Sequence, residues 1–187
     1  MIPFRSPLRR SPELRRQVAL ALAVAEDRLL DAHVDAALDF LAATDGALPF
    51  DQALQIFDRV MVVPDRIRGE VARRAMTELA RNGGGSPSVL AQDGGDDEVG
   101  ILGSIRRRLR GRRRNELRER IDQAAQDARG RLQGAYLAGA TEVIETLQGS
   151  VSAAEAVQLY LDALEIGPGW AEEVFNTAVG ETEAASQ

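Results

Sequence analysis

The sequence predicts an all-α protein made by tandem duplication of a three-helix unit, with one long and two shorter helices per copy. Three observations lead there. Residues 1–84 overlay residues 104–187 without a gap at a shift of 103, with twenty identical pairs, among them Arg28/Arg131, Leu29/Leu132, Gly46/Gly149, Ala53/Ala156 and Val71/Val174. Chance would give about seven for a chain so rich in Ala, Arg and Leu, so an internal repeat is the economical account. Apolar residues recur at steps of three and four, the spacing of one helical face, and neither copy contains a stretch alternating as a strand does.

Each copy opens on arginines and enters a long helix. In the first, Ser11-Pro12-Glu13 supplies an N-cap, a proline at the first helical position and an acid in the first turn. The stripe then runs Leu14, Val18, Ala21, Ala25, Leu29, Ala32, Ala36 and Phe40. Its counterpart runs Leu117, Ile121, Ala124, Ala128, Leu132, Ala135, Gly139 and Val143, in a helix starting at Asn115 or nearer Ser104. Small residues in both stripes permit close helix approach, and Gly130, Gly134 and Gly139 predict a kink or break in the second copy. Gly46 and Gly149 read as helix stops.

A second helix follows in each copy, carrying Phe50, Ala53, Leu54, Phe57 and Met61, or Ala153, Ala156, Val157, Tyr160 and Leu164 after the cap at Ser152. Turns at Val62–Pro64 and at Gly167-Pro168-Gly169 lead to a third, burying Ile67, Val71, Ala75 and Leu79, or Trp170, Val174 and Ala178. The expected organisation is therefore copy 1 over 1–84, a Gly/Ser/acidic linker over 85–103 and copy 2 over 104–187. Two lobes of about 84 residues, each marginal alone, would gain by packing together into one bundle.

Composition excludes several chemistries. The 187 residues include no Cys, so disulfides, thiolate nucleophiles and Cys-ligated metals are ruled out. All 23 basic residues are Arg, which removes any Lys-dependent phosphate loop. His33, the single His, stands where copy 2 has Tyr136, a position for a packed side chain rather than a general base. Trp170 matches Ile67 and reads as a core anchor. Glu13 and Glu116 fit first-turn helix acids, and Glu70 and Glu173 fit exposed helix positions. Asp93, Asp96, Asp97 and Glu98 lack the alternating spacing of a calcium loop. No cofactor and no metal are expected. The apolar run Val18–Ala25 reads as helix core rather than secretory signal, because its counterpart Ile121–Ala128 is amphipathic, and a cytoplasmic location is expected.

The net charge of −6 conceals segregation. Arg106, Arg107, Arg108, Arg110, Arg112, Arg113 and Arg114 place seven guanidiniums in nine residues, which repel one another unless anions are near. Forked, charge-assisted hydrogen bonds suit them to phosphates or carboxylates. A secondary basic face is formed by Arg66, Arg68, Arg73 and Arg74 on the third helix of copy 1. The matching helix of copy 2 carries Glu172, Glu173, Glu181 and Glu183, so the two third helices are expected to attract each other. The expected function is a non-enzymatic helical adaptor or assembly protein. Its Arg-rich arm meets an anionic partner, and its small-residue stripes serve self-association or docking of a protein partner. The alternatives are a sequence-tolerant nucleic-acid-binding protein and a peripheral membrane scaffold using Ile101, Leu102, Ile105 and Leu109 amid the arginines.

Overall fold

The structure, a computed structural model, describes residues 11–44, 47–81 and 101–185, with the side chains of 101–114, 183 and 185 left aside. The described residues form six helices and no strand: α1 Pro12–Thr44, α2 Phe50–Met61, α3 Asp65–Arg81, α4 Ile101–Leu147, α5 Ala153–Ala163 and α6 Pro168–Ala185. Helix α1 begins where its signals place it, with the Ser11 hydroxyl accepting a hydrogen bond from the Leu14 amide at 3.2 Å. Helix α5 begins with a capping box in which Ser152 and Glu155 satisfy each other's amides. Gly149 takes φ +79° between α4 and α5, a conformation that favours a residue without Cβ.

Helix α4 starts at Ile101, three residues inside the stretch read as linker, so of the two expected starts the one near Ser104 is the nearer and the arginine segment is helical. Arg and Leu are strong helix formers and dominate that stretch. The helix also runs through Gly130, Gly134 and Gly139 without the expected break. Each glycine costs about 1 kcal/mol against alanine. Burial of the large side chains around them contributes about 1.5–3 kcal/mol apiece, and Leu132, Tyr136, Val143 and Leu147 are all completely buried. Packing wins.

The most extensive interface in the molecule is α1 on α4. Arg28 meets Glu142, His33 meets Tyr136, Asp39 meets Arg131 and the Ala43 carbonyl accepts from Arg120. Ascending numbers on one helix face descending numbers on the other, so the pair is antiparallel. Its floor is small: Ala25, Ala36, Ala37, Ala128 and Ala140 are buried, which lets the axes approach to about 8 Å. The stripes assigned to self-association are therefore consumed inside the chain, facing each other. One continuous core joins both helices to α2, α3, α5 and α6.

A shift of 103 relates many of these features. Val62 and Glu165 both adopt the left-handed region, at φ 52° and 54°. After them Val63 donates to Asp58 and Ile166 to Leu161, and Ile67 donates to Pro64 as Trp170 does to Gly167. The ion pairs Arg28–Glu142 and Arg131–Asp39 are images of each other under the same shift. The two corners also finish each other's middle helix. Trp170 Nε1 donates to the Met61 carbonyl at 2.9 Å and Arg66 Nη1 to the Ala163 carbonyl at 3.1 Å, filling acceptors that a helix end leaves open.

Gly139 is small for a visible reason: a Cβ there would lie 2.7 Å from the Tyr160 hydroxyl. The corresponding positions of the first half hold Ala36 and Phe57, which trade that oxygen for a methyl. Thermal or denaturant unfolding of glycine variants tests this account. Gly130→Ala and Gly134→Ala, where added Cβ atoms meet nothing within 4 Å, should each stabilise by about 0.5–1 kcal/mol. Gly139→Ala should destabilise by about 1–3 kcal/mol, and adding Tyr160→Phe should restore stability to at least the starting value.

Candidate functional site

The arginine segment Arg106, Arg107, Arg108, Arg110, Arg112, Arg113 and Arg114 lies in the first third of α4. Its backbone is helical, and its side chains fall outside the described ones. Position along the helix is informative nonetheless. Arg120 reaches the carbonyl of Ala43, one residue before the end of α1. The turns of α4 before Arg120 thus run on past α1, by about 20 Å back to Arg106 at 1.5 Å per residue. The first turn of α4 contains no acid, and the arginines begin beyond that turn, where the helix dipole has largely faded. The crowding of seven like charges into nine residues is what favours an anion there. Arg5, Arg9 and Arg10, which match Arg108, Arg112 and Arg113 at the shift of 103, and the acids at 93–98 lie outside the described residues.

The secondary face on α3 is differently placed. Arg66 forms a fork on Glu26 of α1, at 2.7 and 2.9 Å. Arg68 binds Asp58 at 2.7 Å and Asp65 at 2.5 Å. Arg74 bridges Glu70 at 2.9 Å and Asp31 at 2.8 Å, and Arg73 also holds Glu70. Hydrogen bonds from Arg73 and Arg74 pull the Glu70 carboxyl down to about 2. These four arginines are matched by carboxylates of α1, α2 and α3. Among the described side chains no ion pair joins α3 to α6; Glu173 of α6 instead meets Arg129 and Gln133 of α4. Glu70 and Glu173 are correspondingly half-buried rather than exposed.

At the centre of the α1–α4 crossing, His33 is completely buried. Its Nδ1 lies 2.8 Å from the Leu29 carbonyl and therefore donates, leaving Nε2 to accept from the Tyr136 hydroxyl at 3.4 Å. Trp170 stacks on Tyr136 at 5.0 Å between centroids, and Arg129 covers the indole at 5.1 Å. Burial lowers His33 to about 4, against a smaller opposing effect of its bond to Leu29. Burial likewise raises both Tyr136 and Tyr160. The Tyr160 hydroxyl is buried without a hydrogen-bond partner. This is the chemistry of a satisfied core with one orphaned oxygen.

An apolar cleft of about 410 Å³ opens between α2 and α3, with Phe50, Leu54, Val63, Val71 and Met76 in its walls. In the second half α5 and α6 pack side by side, with Leu161 in place of Asp58 and Phe175 in place of Ala72. Sequence reasoning missed this cleft, because it depends on the angle between two helices; the Asp58/Leu161 and Ala72/Phe175 differences were the available signal. Among the described residues, no three His, Asp or Glu side chains converge as metal ligands, and no helix is long and apolar enough to cross a membrane.

The buried His33 makes stability depend on pH. Its folded pKa lies below the ordinary histidine value of about 6.5, so its contribution is complete above about pH 6.5 and is lost as pH falls toward 4. Denaturant titrations should show the stability gap between the native protein and His33→Gln shrinking by about 2 kcal/mol from pH 7 to pH 4.5. Tyr160→Phe alone should stabilise by about 1 kcal/mol, by removing a buried hydroxyl that has no partner.

Comparison with protein-family models, curated proteins and solved structures finds no match for this chain.

Proposed function

We propose that the chain is a tandem duplication of a three-helix unit, with copies over 1–84 and 104–187. In this reading it works without catalysis, as a helical adaptor or assembly protein whose arginine segment at 106–114 captures an anionic partner. The observation that carries it is the position of that segment. Seven arginines fall within nine residues of a helix that continues about 20 Å beyond its neighbour α1, where like charges repel. A partner supplying phosphates or carboxylates relieves that repulsion, by forked hydrogen bonds that guanidinium makes and ammonium does not. The arginines of α3 serve the fold, since each is matched by a carboxylate, and leave the role to α4.

Nucleic acid is the second reading, favoured by the same density of guanidiniums, and salt separates the two. Phosphate binding falls log-linearly with salt, by about 0.7–0.9 ions per neutralised phosphate. The test is affinity capture with the intact chain and with a variant carrying Arg→Gln at 106, 107, 108, 110, 112, 113 and 114, from lysate with and without nuclease. An adaptor for an acidic protein should keep its partner after nuclease and lose it in the variant. Loss on nuclease treatment selects nucleic acid instead. Unchanged capture by the variant removes the segment from the functional account.

A further inference from the structure

The contacts that join the first half to the second share a property. Arg28–Glu142, Asp39–Arg131, His33–Tyr136, Met61–Trp170 and Ala163–Arg66 each take one residue from 11–81 and one from 115–185. The interface is also isologous in character, because Arg occupies positions 28 and 131 and an acid occupies 39 and 142. His33 and Tyr136, related by the same shift, meet where the symmetry axis would pass.

We infer that this face is an exchangeable interface whose other partner is a second copy of the chain. Two chains trade their second halves and form a closed two-fold dimer. Every described contact between the halves can be rebuilt between chains, so the exchange has no cost in those contacts. What opposes it is the tether, which presents the halves to each other at an effective concentration on the order of millimolar. Exchange of identical elements is a low-cost route to dimers under that condition. The inference rests on the duplication proposed above and is independent of the arginine segment.

The test uses two full-length variants at low salt, where exposed ion pairs are least screened. One carries Arg28→Glu and Asp39→Arg; the other carries Arg131→Glu and Glu142→Arg. Alone, each sets like charges opposite each other both within the chain and in its own exchanged dimer, so each should melt below the native protein. Unfolded together and refolded as an equimolar mixture, they should form a dimer of twice the 20.2 kDa chain mass by light scattering. Its melting temperature should return to the native value. A mixture that stays at one chain mass and melts like its components overturns the exchange.

A chain carrying all four substitutions separates the two ideas. If it melts as the native protein does while the mixture stays monomeric, exchange fails and the reciprocal interface stands. If it stays destabilised, the reciprocal interface fails and exchange with it. Should either double variant not fold, the single pair Arg28→Glu and Glu142→Arg repeats the mixing with half the charge changes and the same two outcomes.

Discussion

The antiparallel crossing of α1 and α4 is the constraint to which the other helices answer. Its strength is apolar. The flanking ion pairs Arg28–Glu142 and Arg131–Asp39 keep side chains 29% to 58% exposed, where such pairs contribute at most about 1 kcal/mol. Phe40, Leu29, Leu132 and Val143, all completely buried, contribute about 1.5–3 kcal/mol each. The alanines between them set the distance and the large side chains supply the energy. The charges align the register, and His33 marks the centre. Once the crossing is made, the corners at 62–64 and 165–167 are brought together, and each supplies a hydrogen bond to the other's middle helix.

Charge follows a different logic from packing. On α3 the arginines are absorbed by carboxylates that α1 and α2 bring alongside, and Glu70 is held by two of them. On α4 they gather where the helix has outrun its neighbour. Among the described side chains, the α3 arginines form a self-neutralised face with the carboxylates beside them.

Much of this was legible in the sequence, and the remainder was not, for physical reasons. Ser11, Pro12 and the stripe from Leu14 to Phe40 locate α1 because capping and periodicity act within a few residues. The turn at Val62–Pro64 was legible from the breakers within it; that expected at Gly167–Gly169 lies earlier, at 164–167, because Pro168 and Gly169 open α6. The left-handed Val62 and Glu165 were not legible, since neither residue type favours that conformation. The fate of the α3 arginines was hidden because Glu26 and Asp31 lie some forty residues away in sequence. His33 was readable as a packed residue from its exchange with Tyr136, but not as the centre of the crossing. The arginine segment was plain from composition; the choice between its two expected helix starts emerged only from where α4 begins.

The crossing also bears on how the chain reaches its native state. Helical proteins fold fast when their contacts are local. Here the central contact joins His33 to Tyr136 across 103 positions, and the carbonyl of Met61 waits for an indole 109 residues later. The helices themselves need only microseconds or less, yet neither half completes its corner until the other arrives. Folding therefore has the fast local steps of a helical protein and a slow, long-range closing step, closer to that of a sheet. Until that step the alanine faces of α1 and α4 stand open to whatever apolar surface comes first.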